Sequence, residues 1–381
     1  MKRNQYKLCR GFILLIVFCF QQSVFSQTYE MNFGLHQPQD SSTLPVSRTK
    51  PQLPERKSKI DAQVIFKQIS ENKFELNSGW EMADSKTVTA SPISIFNPNL
   101  NTSKWYNATI PGTVLTTLVD QGVYPDPYYG LNNMLIPDSL CREDWWYRLE
   151  FTLPENKDKK LVWLLFNGIN YKADVWLNRK LLGQISGAFA RGSFNATDLI
   201  DKQGKNVLAV NIHPPHNPGI PHEQSSKTDK GPNGGQLCLD GPTFISSEGW
   251  DWVPGIRDRN IGIWQNVVLS FTGDVTIKDP QIITDLPLPD TTVSAIKIKA
   301  TVINHSNHQK RILLKGNIES TSFSKNLNLD PEESKQVFFT PEEFHQLNIS
   351  NPRLWWPNGY GRQELYLLNL EAVVDGEISD R

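Results

Sequence analysis

Trp145-Trp146-Tyr147-Arg148-Leu149-Glu150-Phe151-Thr152-Leu153 alternates residue by residue between two chemistries. Tyr147, Leu149, Phe151 and Leu153 share one face and Arg148, Glu150 and Thr152 the other, the pattern of a half-buried strand. Pro154 ends it. Leu161-Val162-Trp163-Leu164-Leu165-Phe166 is apolar on both faces, as a central strand is, and Asn167-Gly168 then supplies a turn. Ala173, Val175 and Leu177 alternate with Lys172, Asp174 and Trp176 before a second turn at Asn178-Arg179. Asn206 to Ile212, closed by His213-Pro214-Pro215, and Gly262 to Phe271 read as further strands. One helix is predicted from Thr113 to Gln121, after Pro111-Gly112 and stopped by Gly122. Short strands between turns, with little helical periodicity, predict an all-β unit, a β-sandwich or jelly roll.

A second β unit starts near Asp274. Ile296, Ile298, Ala300 and Val302 alternate with Lys297, Lys299 and Thr301, and Arg311 to Glu319, Lys335 to Thr340 and Leu365 to Val374 add strands. About a hundred residues of antiparallel pattern fit an immunoglobulin-like sandwich. A turn signal at Asp375-Gly376 calls for one more strand, yet the sequence stops at Arg381, so the second sandwich is expected to be unfinished and the sequence a fragment or truncated product. The resulting division is residues 1–26 as signal peptide, 27–61 as flexible leader, 62–273 as the first sandwich and 274–381 as the second.

The signal rests on Lys2, Arg3, Lys7 and Arg10, which precede the apolar run Gly11 to Phe20. That run is too short to span a bilayer, and Val24-Phe25-Ser26 suits cleavage before Gln27, so the chain is expected to be secreted or periplasmic, with no membrane span. The leader is rich in Gln, Ser, Thr, Pro and Lys, too polar to build a core. Beyond the signal only Cys141 and Cys238 remain, and their spacing leaves open whether they pair. A net charge of −1 with interspersed acids and bases argues against a nucleic-acid partner. Eleven tryptophans favour ligand contact.

The densest chemistry is Glu248-Gly249-Trp250-Asp251-Trp252-Val253-Pro254-Gly255, followed by Ile256-Arg257-Asp258-Arg259-Asn260-Ile261-Gly262-Ile263-Trp264. Indole faces can hold a sugar ring, and a carboxylate among them can accept hydrogen bonds from its hydroxyls. In an extended segment Trp250 and Trp252 would face one side and Asp251 the other, so a bend at Gly249 or Pro254 must re-aim one of them. Arg257, Asp258, Arg259 and Asn260 read as a salt-bridged turn that fixes this loop, with Arg257 and Asn260 also candidates for substrate contact. Arginine neighbours should lower the Asp258 pKa, which unsuits it as a catalytic acid. Asn170, Tyr171 and Lys172 could line the same cleft. His213, His216 and His222 with Glu223 raise a zinc reading, but no paired spacing supports ligation and a solvated loop is expected. Gly231 to Gly235 lacks the lysine and following helix of a phosphate loop.

Five separated motifs resemble glycoside hydrolase family 2: Trp145-Trp146-Tyr147-Arg148, Lys172-Ala173-Asp174-Val175-Trp176-Leu177-Asn178, Gly249-Trp250-Asp251-Trp252, Asn260-Ile261-Gly262-Ile263-Trp264 and Leu354-Trp355-Trp356-Pro357-Asn358-Gly359-Tyr360-Gly361. They occur in the family's order and are most similar to its β-mannosidase, endo-β-mannosidase and exo-β-glucosaminidase branch. The resemblance implies a galactose-binding-like jelly roll, then an immunoglobulin-like domain, then a (β/α)₈ barrel carrying two catalytic glutamates. A barrel takes about 250 residues; these 381 have no room for it, and the Asn-Glu dipeptide of the family's acid/base residue is absent.

The resemblance therefore implies the N-terminal portion of a secreted, retaining glycosidase. It would act on β-linked mannosyl or glucosaminyl residues of an oligosaccharide or glycan, without cofactor or metal. The partner would be the missing C-terminal barrel, no catalytic residue would lie in this chain, and the chain alone is expected to be inactive. Asp251 corresponds to the family's aspartate that touches the terminal sugar, while Val253 stands where the mannosidases commonly have glycine. Trp355-Trp356-Pro357 is expected to pack between the two sandwiches or against the barrel. The rival reading is a stand-alone exported carbohydrate-binding or adhesion module.

Overall fold

The computed structural model describes residues 39–61, 63–88, 92–97, 100–154, 161–227, 234–238 and 255–381. The first unit contains β1 (Lys67–Ser70), β2 (Lys73–Glu75), β3 (Glu81–Asp84), β4 (Tyr106–Asn107), α1 (Val114–Asp120), β5 (Trp145–Phe151), β6 (Leu161–Phe166), β7 (Lys172–Leu177), β8 (Lys180–Ser186), β9 (Gly192–Asn195), β10 (Asn206–His213) and β11 (Val267–Thr272). A five-stranded sheet in the order β1-β2-β11-β6-β9 faces a six-stranded one in the order β4-β3-β5-β10-β7-β8. One apolar core joins them, with Tyr147, Leu149, Val175 and Val210 from one sheet against Leu164, Phe166 and Leu269 from the other. This is the jelly-roll sandwich expected from the alternation of β5, whose register sets Tyr147 opposite Val210. β6 is buried because it lies inside its sheet, between β11 and β9.

The second face of β5 is not left to solvent. Ile95, Phe96 and Trp105 fold over it and bury Trp146 with Val207 and Ala209 in a satellite core. Arg148 is sealed beneath them, yet fully engaged: Nε donates to the Ile95 carbonyl at 2.9 Å, and its guanidinium meets Glu150 at 3.0 Å and Glu81 at 3.5 Å. A buried cation is tolerable only with such partners. Helix α1 forms where expected. Thr113 caps it by accepting from the Thr116 amide, and Gly122, at φ +71°, leaves it in the left-handed region.

Several boundaries differ from expectation. The strand expected from Gly262 begins only at Val267, because Gly262 (φ +153°) makes an isolated bridge to Asn170 instead. The strand expected from Leu365 begins at Leu368. The signal segment lies outside the described residues. Within the stretch expected as leader, the Lys57 amide donates to the Gln121 carbonyl at 3.0 Å, Lys59 pairs with Glu81, and the Ile60 amide donates to Asn107 Oδ1 at 3.0 Å, so this end of it is laid against the sandwich.

The second unit comprises β12 (Val275–Asp285), β13 (Val293–Asn304), β14 (Lys310–Ile318), β15 (Thr321–Leu329), β16 (Ser334–Phe339), β17 (Asn348–Ser350), β18 (Leu368–Val374) and β19 (Glu377–Asp380). β12-β13-β16, with β17 on β13, faces β15-β14-β18-β19 across a core that includes Ile298, Val302, Leu314, Phe323 and Phe339. It is the immunoglobulin-like sandwich expected. The expectation of an unfinished sandwich needs correcting in one respect: the four residues after the Asp375-Gly376 turn do form a strand, β19, paired with β18. Ser379 Oγ on that strand donates to the Val275 carbonyl at 2.7 Å and accepts from the Val275 amide at 2.9 Å, tying the last strand to the first of the unit.

The two sandwiches meet along a polar seam. Lys73 Nζ reaches the Arg381 carbonyl at 2.5 Å, the Gly273 amide donates to the Ser379 carbonyl at 2.7 Å, and Trp163 stacks obliquely on His305 at 4.9 Å. The described residues contain no (β/α)₈ barrel, and none of their helices is long and apolar enough to cross a membrane.

Candidate functional site

Trp250, Asp251 and Trp252 lie outside the described residues, but both limbs that lead to them are placed. On the outgoing limb, Gln236 and Ile220 exchange backbone hydrogen bonds at 3.0 and 3.1 Å. Gly219, at φ +75°, permits this approach, since a Cβ there would sit 1.9 Å from the Gln236 carbonyl oxygen. The returning limb starts at Gly255. Its amide donates to Glu223 Oε1 at 3.4 Å and its carbonyl accepts from Asn133 Nδ2 at 2.9 Å.

From there the chain makes a tight turn that is buried almost throughout. Asp258 is fully buried and acts as a backbone clamp. Its Oδ2 accepts from the Leu115 amide at 2.7 Å, in the first turn of α1, and its Oδ1 accepts from the Asn260 amide at 2.8 Å. Burial raises the Asp258 pKa, against the opposing pull of Thr113, the two amides and Arg259. The sequence argument that arginines lower it is thus corrected: desolvation wins, because the two guanidiniums are spent elsewhere. Arg259, with no exposed surface, donates to Pro218 and Ile256 carbonyls at 2.6 Å each and pairs with Asp138 at 2.7 Å. Arg257, also buried, reaches Glu223 at 3.4 Å and leaves its Nε without a hydrogen bond. Burial raises the Glu223 pKa even so, and lowers that of Arg257.

Arg259 and Asn260 both take left-handed backbone, at φ +53° and +55°. Asn170 stabilises that shape by donating from Nδ2 to both their carbonyls at 2.9 Å, while its own backbone pairs with Gly262. Asn170 is therefore a buried brace for the loop rather than a cleft lining; Tyr171 is half-buried and Lys172 exposed. Next to this brace Trp264 donates to the Ala188 carbonyl at 3.0 Å and meets Phe189 edge to face at 5.9 Å.

Of the sequence-level site residues, Arg257 and Asn260 thus fall on one anchored turn. Asp138, Asn133 and Glu223 hold the same turn, and little in the sequence pointed to them. Asp138 and Arg259 are separated by 121 residues, and nothing in their local spacing announces a pair. His213 is not arranged as a ligand: its Nδ1 lies 3.1 Å from Asp144 and its Nε2 3.2 Å from Asp174. Among the described residues no group of three or more His, Cys, Asp or Glu is placed to hold a metal ion. Cys141 and Cys238 are both buried and unbridged, and burial pushes the Cys141 thiol up to about 11. Of the two places expected for Trp355 and Trp356, between the sandwiches or against a barrel, the structure excludes the first. They are 55% and 46% exposed, on an excursion before β18, and are not packed between the sandwiches.

This geometry, a jelly roll whose braced loop is flanked by aromatics, matches known proteins along most of its length. Residues 80–265 match the model of the glycosyl hydrolase 2 galactose-binding domain-like family, and residues 275–381 match glycosyl hydrolases family 2. The chain belongs to glycoside hydrolase family 2. It is 30% identical to an exo-β-D-glucosaminidase of Streptomyces avermitilis over 80% of this chain and 31% of that protein. It is 35% identical to a mannosylglycoprotein endo-β-mannosidase of Lilium longiflorum over 79% of this chain and 32% of that protein. A solved exo-chitosanase of Amycolatopsis orientalis shares the fold, with a TM-score of 0.62 and 24% identity over 84% of this chain and 32% of its own. This family 2 chain spans about a third of the length of the relatives it matches.

Proposed function

We propose that the two sandwiches are the N-terminal portion of an exported family 2 glycoside hydrolase acting on β-linked mannosyl or glucosaminyl residues. In this reading they shape the substrate site and a barrel domain cleaves the bond. The observation that carries the reading is the alignment of about four-fifths of the chain with an exo-β-D-glucosaminidase and an endo-β-mannosidase. The site supports it. The outgoing limb is held by the backbone bridge between Ile220 and Gln236 and the returning limb by the buried Arg257, Asp258 and Arg259, the kind of support a finger presented to a sugar requires. Asp251 would accept hydrogen bonds from the terminal sugar, with Trp250 and Trp252 offering ring faces. Arg257 and Asn260 would act by holding the returning limb, the half-buried Asn260 being also able to meet a sugar hydroxyl. Export is proposed from the cationic start and the apolar run Gly11 to Phe20.

Retaining cleavage needs two carboxyl groups about 5–5.5 Å apart, one as nucleophile and one as acid/base, and no cofactor. The acids at the loop base are committed to structure: Asp258 to two amides, Asp138 to Arg259, Glu223 to Arg257. The purified 381-residue chain is therefore expected to give no turnover of aryl β-mannosides or aryl β-glucosaminides, and measurable turnover would overturn the division of labour. A second reading, a stand-alone carbohydrate-binding or adhesion module, is favoured by one observation, the formation of β19. Under it, the chain would bind oligosaccharide as a well-behaved monomer; under the first, the exposed Trp355 and Trp356 would promote self-association.

A further inference from the structure

The stretch that follows Ile220 is gripped by the N-terminal segment. Gln39 holds the backbone of Glu223 on both sides: its Nε2 donates to the Glu223 carbonyl at 2.8 Å and its Oε1 accepts from the Glu223 amide at 2.9 Å. Asp40 caps the single-turn 3-10 helix Ser41–Thr43 that comes next. The carbonyls of that turn take two more bonds, Ser42 from Lys227 Nζ at 3.0 Å and Thr43 from Ser225 Oγ. Glu223 Oε1 is in turn the acceptor for the Gly255 amide and for Arg257 on the returning limb, each at 3.4 Å. Bonds of that length lie at the edge of useful geometry, so a small displacement of Glu223 would break both. Gln39 fixes Glu223 with two bonds of ordinary length. The other end of the segment is the one laid against the sandwich through Lys57, Lys59 and Ile60, and between the two anchors residues 46–54 are exposed throughout.

We propose that residues 39–61 form a strap in which Gln39 is a positioning residue for the returning limb at Gly255 and Arg257, and that the Arg48–Thr49 bond is its release point. Exposed chain of this kind is where proteases nick a folded domain. Arg48 precedes threonine, whereas Lys50 precedes Pro51, which shields it from proteases of trypsin-like specificity. Hydrolysis at Arg48–Thr49 consumes one water and leaves an Arg48 carboxylate and a Thr49 ammonium, with no other co-reactant. While the chain is whole, the anchor at Lys57–Ile60 keeps Gln39 at high effective concentration beside Glu223. After the cut the clasp is bimolecular, and at micromolar protein it dissociates. That the limb serves a sugar-contacting loop rests on the proposed function; the strap's hold on the limb does not.

Hydrogen exchange read by mass spectrometry on the 381-residue chain tests the strap without any sugar, so its failure is separate from failure of the proposed function. Brief trypsin treatment is expected to cut after Arg48, and Arg48→Gln to abolish that product; an Arg48–Thr49 bond left intact while other sites are digested would overturn the release point. For a single clean cut, residues 46–52 are replaced by the recognition sequence of a site-specific protease. After that cut, exchange in residues 221–227 and 255–259 is expected to rise roughly tenfold, about one hydrogen bond's worth, with α1 and the second sandwich unchanged. A synthetic peptide of residues 39–48 at millimolar concentration should restore the protection, and the same peptide with Gln39→Ala should not. In the uncut chain, Gln39→Ala should speed exchange over the same two stretches, and Gln39→Glu, which keeps the acceptor and loses the donor, should speed it less. Unchanged exchange, faster exchange across both sandwiches, or equal rescue by the two peptides would each overturn the strap.

Discussion

At the scale of single residues, His213 shows how a side chain that looks like a metal ligand becomes a proton-dependent clamp. It closes the ends of three strands: Asp144 precedes β5, Asp174 lies on β7 and His213 ends β10. Asn211 adds a hydrogen bond to Asp144 at 3.1 Å, and Gln184 one to Asp174 at 2.6 Å. The hydrogen bond to Asp144 raises the His213 pKa despite partial burial, with Asp174 adding to it. The same bond holds the Asp144 carboxyl below its ordinary value, against burial. The signs follow from linkage. A raised histidine pKa contributes stability fully present below about 6.5 and lost as pH rises through the folded-state value. A depressed Asp144 pKa contributes stability present above the ordinary carboxylate value and lost as pH falls through the folded one. His213→Gln should therefore lower the melting temperature by a few degrees near pH 5.5 and by less at pH 8.5; an equal loss at both would mean that the charge plays no part. The solvated loop expected around His213 gives way to this clamp because the sequence lists histidines without saying what they face, and here both ring nitrogens face carboxylates.

At the scale of elements, the loop base depends on one acid that joins two distant pieces of chain. Asp258 satisfies the amide of Leu115, in the first turn of α1, where backbone donors have no partner within the helix. It also satisfies Asn260 in its own turn. Asp258→Ala would orphan both amides in a site with no exposed surface at that residue. A cost of about 2–5 kcal/mol is expected from two unsatisfied buried donors, read as a shift of the urea midpoint with unchanged slope. Asp258→Asn retains one acceptor and should cost less. Helix α1 itself was legible, since Thr113 and Gly122 are local start and stop signals. The partner of its first turn was not, because Leu115 and Asp258 are 143 residues apart. The strand expected from Gly262 shows the same limit: apolar alternation continues through Ile261 and Ile263, but the backbone is diverted by its bridge to Asn170.

At the scale of the whole molecule, the last five residues join the two sandwiches. Across the seam Lys73 meets the Arg381 carbonyl and the Gly273 amide donates to the Ser379 carbonyl, while Asp380 and Ser379 tie the same strand to Ile277 and Val275 within the second sandwich. Deleting Glu377–Arg381 should lower the melting temperature of the second sandwich and split one calorimetric transition into two; a single unshifted transition would show the seam to be energetically idle. The alternation of β5, the doubly apolar β6, the turn at Asn178-Arg179 and the motif order were enough to read two β-sandwiches of family 2, because each is local in the chain and burial has a period that residues display. Tertiary structure alone decided that Ile95 and Trp105 cover Arg148, that Asp138 and Glu223 take the two arginines, that Asp258 is raised and not lowered by its surroundings, and that Trp355 and Trp356 stay at the surface. Those outcomes turn on desolvation and on pairings between residues far apart in sequence, and neither quantity exists until the chain has closed on itself.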